Sequence, residues 1–389
     1  MSKNNHGPLA GIKVIEFGQI AAGPFAGMLF ADLGADVVKV ERPEVGDSMR
    51  EWPPFITNEE GESYSSNFSS LNRNKRSIAI DFKAPADLKR LRELCAQADV
   101  IVENYRPGVL AKFGLSYERL VEENPKLVYC SISGYGQKGA YAQKGAFDVT
   151  IQAISGLMSV TGEEDGAPVK CGVPVADFVA GLYGAYTVVA AIHQASRSGK
   201  GSYIDCSMLA SVLGISALQT SEYYGNGEAP KRLGSAHPRN APYQGYHGSD
   251  KPFVIAAGNE KLWREVVDAV ELPALADDPR FQNQTLRAKH QKELALLLQE
   301  AFSLKTAAEW LDIFDGRGVP CAPINTFEDI LHDPVVKESG LIHELTLPNH
   351  TQTTTVGYPV KLTDYEFQIY RKPPLKGEHT EEIFQEWGV

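Results

Sequence analysis

AGIKVIEFGQIAAGPFAGMLFADLGADVVKVERP, residues 10–43, is the stretch that decides the fold. Residues 12–17 (IKVIEF) form a short apolar run of strand length. Residues 24–33 (PFAGMLFADL) open on a proline suited to a first helical turn, carry apolar residues at helical spacing and stop at Gly34. Residues 36–41 (DVVKVE) read as a second strand. A helix between two strands supplies the crossover that a parallel pair needs and a tight turn cannot. Outward from there the pattern repeats. Residues 77–82 (SIAIDF) alternate like a third strand, 85–98 are an amphipathic helix opened by Pro85, 100–102 are a fourth strand, 117–123 are helical and 127–133 are a fifth strand. This order predicts an α/β fold with a parallel sheet and helices on its faces.

Beyond residue 145 the text turns helical, with long buried helices expected over 148–157, 177–194 and 208–222. Glycine and proline then thicken over 225–248 (GNGEAPKRLGSAHPRNAPYQGYHG), which marks a domain boundary. A strand (FVIAA) and helices over 261–270, 287–302 and 307–317 follow and read as a smaller α+β domain. A chain of 389 residues exceeds the usual reach of one core, so two domains agree with its length. The polar start, MSKNNHG, is expected to be loose.

Composition narrows the function. Hydrophobic residues make up 43% and charged residues 22%, as in ordinary globular chains. A net charge of −11 with no basic stripe argues against a nucleic-acid partner. The five cysteines, at 95, 130, 171, 206 and 321, include no CxxC pair, and an odd count without a signal peptide suits a reducing cytoplasm. Residues 173–191 are apolar enough to suggest a membrane span. Asp177 lies inside them, however, and a central Asp costs about 2.5–3.5 kcal/mol on insertion, so a core helix and no membrane is the reading.

In an open parallel sheet ligands bind beyond the carboxyl ends of the strands. After the first strand stands GQIAAGPFAG. After the second stand Glu41 and Arg42. Asn72, Arg73, Asn74, Lys75 and Arg76 flank the third, with Lys83 beyond it. Glu103, Asn104, Tyr105 and Arg106 follow the fourth, and SGYGQKG the fifth. Four of these five edges carry a cation, which points to an anionic ligand. GQIAAGPFAG matches neither the dinucleotide fingerprint nor a P-loop. Gly18 and Gly23 equally suit a plain strand-to-helix turn. Arg42, Lys75 and Lys112 taken singly suit solvated surface charges, so the cations' clustering carries the reading.

The candidate nucleophile is Asp177, set among Val173, Val175, Ala176, Phe178 and Val179. A carboxylate in such surroundings is costly unless paired or used. Helical spacing places Gly181 and Gly184 on its face, which predicts open space before the carboxylate. Capping of the helix start is the competing role.

These segments together resemble the family III CoA-transferases, which include formyl-CoA and carnitine CoA-transferases. The resemblance runs through PLAGIKVIEFGQIAAGPFAG, LGADVVKVERPEVGD, NRNKRSIAIDFK, ADVIVENYRPG, SGYGQKG, FDVTIQAISGLMSVTG and VPVADFVAGLYGA, then GKGSYIDCSM, in order along essentially the whole chain. It implies a Rossmann-like large domain from both chain ends (1–224 and 334–389) around a small domain (225–333), in a homodimer of two chains threaded like linked rings. It implies Asp177 as catalytic nucleophile. It places Ala21 and Ala22 with backbone against CoA, and Arg42, Ile80, Lys83, Asn104, Tyr105, Arg106, Lys112 and Lys144 along the CoA. Asp148 falls near the thioester, and Gln19, His237 and Arg239 are candidates for the acid substrate, with Tyr135, Gln152 and Tyr243 as further polar groups near the acyl pocket. Coenzyme A is then a substrate, and no cofactor or metal is implied. The expected chemistry passes CoA from an acyl-CoA to a carboxylic acid, a dicarboxylate such as succinate among them, through mixed anhydrides and an aspartyl-CoA thioester. Oxyanion donors are expected from the glycine-rich 225–248 loops. An α-methylacyl-CoA racemase shares the fold but would need a histidine before Asp148, where this chain has Gly145, Ala146 and Phe147. A non-catalytic acyl-CoA binder would not need Asp177.

Overall fold

The computed structural model describes residues 7–389; the polar start, residues 1–6, lies outside the described residues. Six strands form one parallel sheet: β1 (Lys13–Phe17), β2 (Asp36–Glu41), β3 (Arg76–Ala79), β4 (Val100–Glu103), β5 (Val128–Ser133) and β6 (Ser202–Ser207). Their spatial order is β3-β2-β1-β4-β5-β6. The order reverses between β1 and β4, so the chain leaves the two strands toward opposite sides and opens a crevice at their carboxyl ends.

The sheet is covered on both faces, which explains the nearly continuous apolar strands. Val14, Val37, Val100 and Val102 point to one face and pack with α1 (Ala22–Asp32) and α4 (Val175–Ser198). Their neighbours Ile15, Val38 and Ile101 point to the other, against α2 (Pro85–Gln97) and the C-terminal helix α7 (Thr380–Trp387).

The described chain divides into two units. The first takes in Met1–Leu157 (from residue 7), Lys170–Gly227 and Val335–Val389; the second takes in Met158–Val169 and Glu228–Pro334. The 158–169 segment groups with the second unit, although the sequence reading puts it in the large one. The second unit has its own core of Trp263, Phe281, Phe302, Trp310 and Phe314 and a three-stranded antiparallel sheet.

Several local expectations change. The sheet has six strands rather than five, since Ser202–Ser207 also joins it. The third strand ends at Ala79, short of Phe82. The helix expected over 208–222 is two, α5 (Met208–Ile215) and α6 (Ala217–Asn226), divided at Ser216. That over 287–302 breaks at His290.

Helix α4 is not wholly buried. Ala176, Val179, Ala180, Gly184 and Val188 pack inward. Leu182, Tyr183, Tyr186 and Val189 stand exposed, with Tyr186 at 76%. The helix is long and apolar enough to cross a membrane by length and composition, but its inner face covers the sheet.

The cations around β3 also change role. Arg73 pairs with Asp32 (2.6 Å), Lys75 with Glu16 (2.7 Å) and Arg76 with Asp36, Glu382 and Glu386. All three are buried, so they bind the fold together and do not face a ligand. Removing one partner of such a pair leaves an uncompensated charge, at a cost of about 3–5 kcal/mol.

Candidate active site

The crevice at the β1/β4 reversal holds a cavity of about 370 Å³. Three of its walls continue strands. Gln19, Ile20, Ala21 and Ala22 follow β1, Asn104 to Pro107 follow β4, and Ile132, Ser133 and Gly134 end β5. The loop 142–147, Met208 at the start of α5, and Asp177 close the rest. The β1 and β4 loops are locked together. Asn104 Oδ1 accepts from the Gln19 amide (2.9 Å), Asn104 Nδ2 donates to the Gln19 carbonyl (2.9 Å), and Gln19 Nε2 donates to the Tyr105 hydroxyl (3.4 Å). A side chain at Gly23 would press on Asn104, and one at Gly18 on Pro24. These glycines therefore serve close approach as well as the turn.

Helix α1 enters the cavity wall without a side-chain cap. Its first internal bond is Phe25 N–H to the Ala21 carbonyl (2.8 Å), and Pro24 has no N–H. The amides of Ala21, Ala22 and Gly23 meet no acceptor among the described residues. Unfilled donors at a helix N-terminus, backed by the helix dipole, suit a developing negative charge.

Asp177 lies in the first turn of α4. It does not cap that helix. Asp148, at the start of α3 (Asp148–Ile154), accepts the Ala176 amide at Oδ1 (2.9 Å). Its other oxygen accepts from Gln152 Nε2 (2.7 Å), and Gln152 Oε1 takes the Cys171 amide (2.8 Å). Gln152 is thus fully engaged in holding the segment before α4 and is not free to pair with a substrate. The Asp177 carboxylate accepts no hydrogen bond among the described residues. Burial pushes its carboxyl up to about 7, and the negative charge of Asp148 adds to the rise. A first-turn position favours the anion through the helix dipole, but desolvation outweighs it.

Gly181 and Gly184 do not clear space before the carboxylate. A side chain at Gly181 would meet Phe25 and the Ala22 carbonyl (3.0 Å), and one at Gly184 would meet Cys130 and Ile132 on β5. These glycines let α4 lie close on α1 and the sheet. Gly181 touches Ala22 one helical turn beyond Asp177, which sets the carboxylate beside the α1 N-terminus.

Of the residues named from sequence, Asp177, Gln19, Ala21, Ala22, Asn104, Tyr105, Arg106 and Lys144 line this one cavity. Lys144 lies over the rings of Tyr141 (4.9 Å) and Tyr135 (5.8 Å). Asp148 stands behind the wall. Arg42, Lys83 and Lys112 are exposed outside it. Ile80 is buried in the sheet core. His237 and Arg239 belong to the second unit, where His237 Nδ1 accepts the amides of Arg239 and Asn240 (both 3.1 Å) and its ring stacks on Tyr243. Ile20, Phe147 and Met208 also line the cavity and were not assigned to the site from sequence. Reading SYIDCS as a strand would have pointed to Met208, the first residue after it.

The amino-acid sequence matches the family described as CoA-transferase family III over residues 9–380. It is 40% identical to human succinyl-CoA:glutarate CoA-transferase over 98% of this chain and 86% of that one. It is 39% identical to the succinate–glutarate CoA-transferase of Agrobacterium fabrum over 98% of this chain and 96% of that one. A solved CAIB/BAIF family protein from Brucella suis superposes with a TM-score of 0.88 at 38% identity, covering 98% of this chain and 99% of that one. With a ligand crevice at the strand-order reversal and a full-length family match, the chain belongs to CoA-transferase family III and is a CoA-transferase.

Proposed function

We propose that the protein transfers CoA from succinyl-CoA to a second dicarboxylic acid, with Asp177 as the nucleophile that carries the CoA between them. The observation that carries this reading is the Asp177 carboxylate, unpaired and desolvated in the same cavity wall as the unfilled α1 amides. In this mechanism Asp177 attacks the thioester carbonyl, and the α1 amides hold the oxyanion. Collapse expels CoA thiolate and leaves a mixed anhydride. The thiolate attacks the aspartyl carbonyl, releases succinate and forms aspartyl-CoA. The acceptor carboxylate repeats both exchanges in reverse and leaves with the CoA. No proton need leave or enter in the sequence, since each nucleophile is an anion and each leaving group departs as one. A poorly solvated carboxylate is the more reactive nucleophile, which gives the burial a use.

Arg106 and Lys144 supply positive charge at the cavity. Arg42, Lys83 and Lys112 supply it beyond the carboxyl edge of the sheet, along the path of the CoA nucleotide. Coenzyme A acts as a substrate, and no resident cofactor is required. The relatives named for succinyl-CoA paired with glutarate, mesaconate or D-citramalate favour a dicarboxylate at both ends of the reaction. Succinyl-CoA offered with a panel of mono- and dicarboxylic acids should give new acyl-CoA with glutarate-sized diacids at least tenfold faster than with monocarboxylates of equal length. Equal rates for both classes would remove the dicarboxylate assignment.

The chain is further read as an interlocked homodimer. Besides the exposed side of α4, Leu213 and Ile215 on α5 and Leu218 on α6 are exposed, the last at 63%, and exposed apolar residues gathered on neighbouring helices mark interaction surfaces. A second copy is the proposed cover. Light scattering after size exclusion should give twice the mass of one chain, and dilution to nanomolar concentration should leave that mass unchanged, since threaded chains cannot part without unfolding; a single-chain mass, or a dimer that dissociates on dilution, would contradict the interlocked dimer. The five cysteines are all free thiols, which favours a cytoplasmic location.

A further inference from the structure

Ile20 stands in the cavity wall with φ 66°, a left-handed backbone that is a genuine outlier for a β-branched residue. Strain of this kind persists only where the surroundings impose it. The imposing group is Asp47. Its Oδ1 and Oδ2 accept the Ile20 amide at 3.1 and 3.3 Å. Asp47 is buried and held in turn by Lys39 Nζ (2.9 Å), while its own amide donates to Glu41 Oε2 (2.9 Å). Lys39 also donates to the Gly18 carbonyl (2.7 Å) and pairs with Glu16 (2.9 Å). Lys75 joins Glu16 to the Pro24 carbonyl (2.8 Å). Gly27 leaves α1 open to the Glu16 carboxylate, which a side chain there would strike. Residues 18, 20 and 24 are therefore gripped from beneath by one buried network, and Gln19 is gripped from the side by Asn104. Neither Asp47, Lys39, Glu16 nor Lys75 lines the cavity.

The backbone so gripped carries the unfilled amides of Ala21 and Ala22, the two of the three that line the cavity. Were Ile20 to relax to an ordinary right-handed or extended conformation, the peptide planes after it would rotate and the donors would leave the cavity wall. We infer that Asp47 is a positioning residue: it holds Ile20 in a left-handed turn that aims the α1 amides at the carbonyl attacked by Asp177. This rests on the nucleophilic reading of Asp177 given above.

The test compares wild type, Asp47→Ala, Asp47→Asn and the double variant Asp47→Ala/Ile20→Gly, with turnover per folded protein, KM for succinyl-CoA, melting temperature and hydride trapping of the Asp177 adduct. Removing one oxyanion donor costs roughly 10²–10³ in kcat, and a misaimed pair should lose a sizeable part of that. Asp47→Ala should lower kcat at least about thirtyfold with KM within about threefold. Glycine takes the left-handed turn freely, so the double variant should regain at least about tenfold in kcat although its melting temperature does not recover. A merely structural role would not show rescue by a residue that loosens the loop. Asp47→Asn keeps an oxygen for the Ile20 amide and should retain more turnover than the alanine variant; it also serves if the alanine variant does not fold. Turnover of Asp47→Ala within twofold of wild type, a double variant no faster than Asp47→Ala, or an asparagine variant as slow as the alanine one would each overturn the positioning role. An active wild type with no adduct at Asp177 would instead sink the nucleophile on which it rests.

Discussion

Asp177→Ala should lose transfer by at least about 10⁴-fold, as when a covalent nucleophile is removed, while its affinity for CoA stays within a few fold. The two outcomes separate because the proposed mechanism brings only the carboxylate to the reacting carbonyl, and assigns CoA binding to residues 21–22 and 104–106, which line the same cavity, and to the exposed cations. Asp177→Asn should be equally inactive, since an amide is no nucleophile here. Steady-state transfer from succinyl-CoA, with CoA binding by calorimetry, checks both. Turnover within tenfold of wild type in either variant would remove Asp177 from the chemistry.

The second large effect is on pH dependence. Burial, with Asp148 adding, raises the Asp177 carboxyl to about 7, so only its ionised fraction attacks. kcat/KM for the acyl-CoA should climb with unit slope up to about pH 7 and level off above it. At about pH 5 it should therefore lie roughly a hundredfold below the plateau. Asp148→Asn removes the like charge and should move this limb to lower pH. The sign for stability follows from the same shift. A carboxyl raised above its unfolded value near 3.9 leaves its full contribution only below that value, and the contribution is lost as pH rises through about 7. Asp177→Asn should thus unfold at higher denaturant than wild type above pH 7, and this difference should shrink toward pH 4. A pH-independent difference in midpoint would mean that the carboxyl is not perturbed in the folded state.

The fold and the site were not equally legible in the sequence. The strands of residues 13–17, 36–41, 100–103 and 128–133 are buried on both faces, and that burial shows as short runs rich in Val, Ile and Phe despite the buried Glu16, Lys39, Glu41 and Glu103 within them. Ser202–Ser207 is an edge strand with exposed Tyr203 and a polar Asp205 that serves Gln137, so its pattern is diluted. The breaks at Ser216 and His290 fall inside composition that is helical on both sides. The carboxyl-end rule found the loops of the cavity because strand ends are visible, even though the spatial order of the strands is not. It misjudged Arg73, Lys75 and Arg76 because their partners Asp32, Glu16 and Asp36 lie 40 or more residues earlier, and pairing over that distance leaves no local trace. Gly181 was legible as a place lacking a side chain. Which neighbour fills that place, α1 rather than a substrate, is decided by tertiary packing.

The decisive measurement is mass spectrometry of the peptide containing residue 177 after the enzyme turns over succinyl-CoA and is quenched with borohydride or hydroxylamine. Reduction to the alcohol, or conversion to the hydroxamate, at Asp177 and only in the presence of acyl-CoA is the predicted result. An enzyme that transfers CoA at full rate while this peptide stays unmodified, or while another carboxylate carries the adduct, would contradict it.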